Sequence, residues 1–541
     1  MAADADGEFP EVVGVGEGLP RNDAFGVSSA PATRSREWRR HAQEVQLRWL
    51  ACVAFLSWFS YALCQSASLP ALVADIAGSD AQANRAITSF GVGMGVAATL
   101  VIQAVVARMD GHGRKLPLLV TTGGMALPPL VVLVCVSLLG QPLWVTVVAL
   151  SLTGFVTNWP TIIATVSTVV ADHAPRNAGR SYLFALFETV TFAALVTGPA
   201  LGGWLADSVA YTAPFWLSAL AGIGAAAVGA LTVEETLPKA QGLAAGETAS
   251  AAPSCTRRTG CRCGGVELPG WLFARSSPLG AWDALARRGR TRGRLALALA
   301  IGWLARGGTV NVQVLTMSAR GWSKSAIGDT FTLGNFTAAL AMVGLTRAAR
   351  SGGVSERALM ILGFATAAAG LALQGLAATR AFGAGKASDA ALVVGLGVQH
   401  LGSVYQPVGR SMISRLCEES HREQGEVMGA IATLEMLLWW LPMLYTEQLY
   451  AALGTAALFL AACLYICAAS VAVVLIGRED TPGRYVQISQ LSAADTTDAR
   501  AVEVRATDSA APVDALFVRD DDRTDSATAT GPVQAEGASV V

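Results

Sequence analysis

Twelve apolar runs of about 20 residues, each nearly free of charge and closed by a polar break, dominate this chain, and that is the length a helix needs to cross the hydrocarbon core of a bilayer. Lipid offers no water to satisfy stray backbone N–H and C=O groups, so such a run is restricted to a helix that bonds its own backbone. The runs lie near 48–70, 84–107, 116–139, 143–170, 180–206 and 213–233, then near 294–317, 325–347, 357–379, 388–416, 424–450 and 453–477. They predict an all-α membrane protein of twelve transmembrane helices in two six-helix halves.

Composition points the same way. Of 541 residues, 52% are hydrophobic and 15% charged, and mean hydropathy is +0.46, a balance unlike that of a soluble domain. The expected partner is therefore the lipid bilayer, and a net charge of -1 gives no reason to expect nucleic acid. The domain reading is a disordered cytosolic tail at 1–45, a first half at 46–233, a polar cytosolic linker at 234–293, a second half at 294–478 and a disordered cytosolic tail at 479–541. The first apolar run is too long for the core of a cleaved signal peptide and reads as a retained helix. Several of the nine cysteines sit in apolar runs, where a small buried thiol is the ordinary use. Cys255, Cys261 and Cys263 in the linker lack an evident fourth ligand, so no metal is expected. No phosphate-binding loop is present, so neither a nucleotide nor another cofactor is expected, and no enzyme chemistry.

Orientation follows from Lys and Arg, which concentrate in cytosolic loops. With both termini inside, 32 of the 39 basic residues fall on the cytosolic side, while Arg320, Lys324, Arg380 and Lys386 fall opposite. The choice of membrane is left open, and a monomer is expected.

The loop after the second run reads Asp110-Gly111-His112-Gly113-Arg114-Lys115. It resembles the D-x-x-G-R-K core of the signature loop of the major facilitator superfamily, with Val106 at the family's opening Gly and Gly111 at its Arg. The resemblance implies the major facilitator fold and a gating loop in which Asp110 faces the start of helix 11 near Gln424, while Arg114 pairs with Asp172. A tight glycine turn suits charge contacts that break and remake as two halves rock. The bland alternative is a set of topology anchors.

Gly198-Pro199-Ala200-Leu201-Gly202-Gly203 resembles the G-P-x-x-G-G element of proton-driven drug and tetracycline antiporters in that superfamily. It implies a bend in helix 5, and plain small-residue packing is the alternative. Ala171 to Pro175, Arg180, Glu188, YTAPFW, EETLP, QPVGRSMIS and REQGEVMGA together resemble the proton-coupled folate transporter branch. In that branch the acid matching Glu188 is implicated in proton coupling, and an Arg stands where Arg410 does.

Polar residues inside apolar runs are costly in lipid and usually point inward. Glu188, His400, Arg410 and Glu435 are candidates to handle a proton or substrate, with structural pairing or anchoring as the alternative. Gln65, Asn158, Asn311 and Gln313 are candidate cavity residues, joined by Arg306 and Asn335, while Trp439 and Trp440 line the cavity or simply pack. Tyr485-Val486-Gln487-Ile488 resembles a tyrosine-based sorting signal. The function implied is secondary active transport of a small organic solute, coupled to protons, by alternating access. A facilitative uniporter is the rival within transport. The loop TRAARSGGVSER lacks the repeated G-R-R of the sugar branch. The rival from another class is a non-transporting facilitator-like receptor or assembly factor.

Overall fold

The computed structural model describes residues 30–77, 80–174, 179–236, 290–351, 354–379, 381–383, 385–417 and 424–475, with residues 262–263, 266–267, 277, 280–281 and 284–285 between α6 and α7. Residues 1–29 of the first expected tail, all of the second with Tyr485 to Ile488, and most of the expected linker with Cys255 and Cys261 lie outside them.

Every apolar run is helical. α1 (Ala30–Tyr61) continues through a π-helical turn, Ala62–Ser68, into Leu69–Ile76, and α2 is Asp80–Ala107. α3 is Lys115–Gly124, extended by Leu127–Val132 and the π-helical Leu133–Leu138. α4 is split into Leu143–Thr153 and Trp159–His173; α5 is Gly179–Ser208 and α6 is Ala213–Thr232. After the polar stretch come α7 (Arg290–Ser318), α8 (Lys324–Arg350) and α9 (Glu356–Ala378). α10 runs Lys386–Leu401, a 3-10 turn Gly402–Val404, then Tyr405–Arg415. α11 is Gln424–Met443, followed by Thr446–Leu453, and α12 is Ala456–Leu475. Twelve helical spans are thus present among the described residues.

Two boundaries differ from expectation. α1 starts at Ala30 inside the expected disordered tail, because Pro31 suits a first helical turn and the Arg, Glu, Gln and Ala residues beyond it favour helix without a breaker. Between α6 and α7, β1 (Arg262–Cys263) pairs antiparallel with β2 (Val266–Glu267), a two-residue hairpin in a stretch read as plain linker.

Prolines explain the irregular turns. Pro70 lacks a backbone donor. The helix widens there, and Leu69 donates to the Cys64 carbonyl five residues away. In α4, Gly154 and Pro160 bracket the break, and Asn158 caps the second piece by accepting from the Thr161 N–H at 2.9 Å.

α2 lies along α11 and α5 along α8, so the first and last six helices meet on two long seams. Their outer faces carry Trp144, Leu138, Leu231 and Val474 at 68 to 86% exposure, a display of large apolar side chains that only lipid accommodates. The protein is a multi-pass integral membrane protein.

Candidate functional site

Polar contacts cross between the two sets of six helices at two depths. The first depth is the end carrying the α2–α3 loop. Gly113 turns there with φ +106°, a conformation side chains other than glycine resist. The turn brings the fully buried Arg114 between two acids, donating to Asp110 at 2.5 Å and to Asp172 at 3.0 Å. Asp110 in turn accepts the backbone N–H groups of Gly425 and Glu426, each at 2.8 Å, placing a carboxylate on the N-terminus of α11 where the helix dipole favours it.

Two participants escaped the sequence reading. Glu235 accepts the backbone N–H groups of Arg114 and Lys115, capping α3 from the far end of α6, and Thr236 donates to Asp172 at 2.7 Å. Lys115 donates its ammonium to the Ala230 carbonyl on α6 at 2.7 Å. Both residues belong to the EETLP stretch, quoted above only as a family likeness.

A second crossing stands at the same end. Arg415 at the close of α10 pairs with Glu356 at the start of α9, and Ser181 on α5 donates to that carboxylate and contacts the Ser411 hydroxyl at 2.8 Å. Arg180 reaches the Ser414 hydroxyl at 3.1 Å. No D-x-x-G-R motif marks this cluster, because the acid comes from a helix start and the base from another helix's end.

Glycines let the seam close. A Cβ on Gly425 would stand 2.6 Å from the Val106 carbonyl, and one on Gly429 would stand 3.0 Å from the Gln103 side chain. Toward the other end the notch is reversed: Trp440 of α11 lies over Gly95 of α2 and donates its indole N–H to Thr99 at 3.1 Å. Small residues on each helix thus receive the bulk of the other.

The second depth is mid-span. Arg410 on α10 bridges two buried carboxylates, Glu188 on α5 and Glu435 on α11, the latter at 2.5 Å. Three isolated charges would be prohibitive there, and mutual pairing is what makes them tolerable. Beside Glu188, a cavity of about 20 Å³ is lined by Trp58, Ser167, Phe187 and Thr191 among others, room for one water. Next to the triad Arg306 of α7 is half-buried, its guanidinium 5.6 Å from the Trp439 ring centroid, and it lies within electrostatic reach of Glu435, His400 and Tyr405. Trp439 meets Trp159 edge-on at 5.3 Å, and Trp159 lies 6.2 Å from Trp58.

Other candidates are occupied elsewhere. His400 packs against Gly334 of α8 and hydrogen-bonds the Leu396 carbonyl of its own helix at 2.9 Å, apart from the triad's ion pairs. Asn158 spends its carbonyl oxygen on the α4 cap. Gln313 joins Gln374 and Gln399 in a buried amide cluster that ties α7, α9 and α10 together. Asn311 is half-buried on α7. Gln65 falls in the π-helical turn, its side chain outside the described ones. In the helix 5 element, Gly198 and Gly202 press against Ala62, Leu63 and Ser68 of α1, Pro199 is carried within the helix, and nothing stands within 4 Å of a Cβ placed on Gly203.

A sequence profile of the Major Facilitator Superfamily matches residues 50–307. The crystal structure of the human organic anion transporter MFSD10 (TETRAN) superposes with a TM-score of 0.61 at 17% identity, covering 80% of this chain and 99% of that one. That of a bacterial homologue of the iron transporter ferroportin, in an outward-facing state, gives 0.56 at 14% identity, with 79% and 98% covered. No curated protein matches in sequence. The fold is the major facilitator fold, and the solved structures it resembles are those of transporters.

Proposed function

We propose that this chain is a secondary active transporter of the major facilitator superfamily, moving a small organic solute by alternating access with protons as the driving ion. The observation that carries this reading is the Arg410 bridge. A buried cation from the last six helices holds a carboxylate from the first six at mid-span, beside a void with room for one water. Protonating Glu188 replaces an ion pair across the seam with a neutral contact, so a proton weighs directly on how the two sets are held together.

Basic residues favour both termini in the cytosol, which makes the α2–α3 loop end cytosolic. The Asp110 and Glu356 clusters then hold the cytosolic side shut, as a state receiving solute from the opposite side requires. Residues 46–233 and 294–478 act as the two rocking halves joined by 234–293, and one chain is a sufficient transport unit because the seam is internal to it. A facilitative uniporter would leave Glu188 without a proton to carry, and a non-transporting receptor would have no use for a paired charge crossing the seam.

The test is uptake of a broad panel of labelled solutes into proteoliposomes with and without an imposed pH gradient. Accumulation that requires the gradient supports the proposal. Accumulation-free equilibration indicates a uniporter, and absence of movement under every gradient indicates the receptor.

A further inference from the structure

Of the two arginines at mid-span, one is held in ion pairs and the other is not. Arg410 is committed to Glu188 and Glu435, whereas among the described residues no carboxylate forms an ion pair with Arg306. Arg306 instead rests its guanidinium over the face of Trp439. A half-buried guanidinium inside an apolar span is expensive unless it serves a pathway or a ligand, and a ring face satisfies its charge only in part.

The surroundings of Arg306 are aromatic and come from both sets of helices. Trp439 belongs to α11, Trp159 to the start of the second piece of α4, and Trp58 and Tyr61 to α1, with successive centroid separations of 5.3, 6.2 and 5.5 Å. The break in α4 is what delivers Trp159: Asn158 caps the helix at the residue before it. A row of rings running from one set of helices to the other, ending on a cation that forms no ion pair among the described residues, matches a ligand with an aromatic body and an acidic end.

Resting on the transport reading above, we infer that Arg306, Trp439, Trp159 and Trp58 form the recognition site for the transported solute, and that this solute is a planar aromatic anion such as an aryl carboxylate or sulfonate. The acidic group pairs with the Arg306 guanidinium, whose planar fork suits two oxygens at once, and the ring stacks along the tryptophans. An aromatic cage without Arg306 would favour a cation, but the guanidinium on Trp439 already fills that role and repels a second one. The site therefore selects by charge at one end and by aromatic contact along the row.

The experiment is equilibrium binding of radiolabelled 2-naphthoate to the purified full-length protein in detergent, with 2-naphthylmethylammonium and cyclohexanecarboxylate as competitors. Wild type should bind 2-naphthoate and prefer it to both competitors. Arg306→Gln should weaken it about 10- to 100-fold, with partial recovery in Arg306→Lys. Trp159→Leu, which leaves every charge in place, should weaken it about 2- to 10-fold and narrow the preference over cyclohexanecarboxylate. Thermal unfolding of each variant identifies any that fail to fold, and Arg306→Lys together with Trp159→Leu still decide the matter if Arg306→Gln does. Unchanged affinity in Arg306→Gln, tighter binding of the ammonium probe, or no binding of 2-naphthoate at millimolar concentration overturns the inference. A 2-naphthoate that binds through Arg306 but does not cross proteoliposomes leaves this site standing and removes the transport reading instead.

Discussion

The Arg410 guanidinium on α10 clasps the Glu188 carboxylate on α5, 222 positions away in the chain, so that the two sets of six helices share one ion pair at mid-span. Glu435 takes the other terminal nitrogen. Two carboxylates share this one guanidinium, and Arg306 stands within electrostatic reach of Glu435. On the proposed reading, a proton arriving here would act on the contact between the two sets rather than on either alone.

Glu188→Gln keeps the shape and a hydrogen-bond acceptor for Arg410 but removes the titratable charge, while Glu435 still pairs with Arg410. Gradient-driven accumulation should be lost, with solute exchange across the membrane preserved within a few-fold. Glu188→Ala should instead be destabilising by about 1 to 3 kcal/mol, because it takes an acceptor from Arg410 and leaves a void while Glu435 still balances the charge. Wild-type pH dependence in Glu188→Gln would remove this residue from coupling.

The two crossings at the α2–α3 loop end should act as separate latches. Asp110→Asn loses the charge that sits on the α11 N-terminus and balances Arg114, an effect of about 1 to 2 kcal/mol, or a 5- to 30-fold shift toward the state open at that end. Glu356→Gln should shift the same balance through Arg415 and Ser181. Sharing no side-chain partner, the two should add in the double variant. Thiol labelling of a cysteine placed at Val427, buried in the closed seam, reads the shift. Labelling unchanged in both single variants would show that neither cluster holds the gate.

The helices were legible because a bilayer imposes one length and one composition on each. The Asp110–Arg114 loop was legible because its residues are adjacent in sequence and form a recurring loop. The Glu356–Arg415–Ser181 crossing was not, since its members come from three helices and no local pattern joins them. The same distance hid the partnership of Glu188, Arg410 and Glu435: each was suspect alone as a charge in lipid, yet only helix rotation shows that one arginine serves both acids. Asn158 and Gln313 could not be sorted in sequence because an inward polar residue has two uses, and capping and interhelical amide bonding look just like cavity lining.

Gln313→Leu tests that distinction. It removes the residue whose amide nitrogen reaches both Gln374 and Gln399, leaving the remaining pair only each other. A loss of about 1 to 3 kcal/mol of stability is expected from the weakened buried cluster, with the solute affinity of the folded fraction unchanged. A large change in affinity with unaltered thermal stability would return Gln313 to the cavity.

Within Gly198-Pro199-Ala200-Leu201-Gly202-Gly203, the glycines should not be equivalent. A methyl on Gly198 would run into the Ala62 Cβ and stand 3.1 Å from the backbone of Ala62 and Leu63, atoms that no rotamer change can move aside. Gly198→Ala should therefore push α5 off α1, at a cost of about 1 to 3 kcal/mol, and slow transport with it. Gly203 meets nothing within 4 Å, so Gly203→Ala gains helix propensity without a clash and should be neutral or stabilising by up to about 1 kcal/mol. Thermal unfolding in detergent, read beside uptake, separates the two. Equal behaviour of both variants would mean that the close approach of α5 to α1 is not what the first glycine is for.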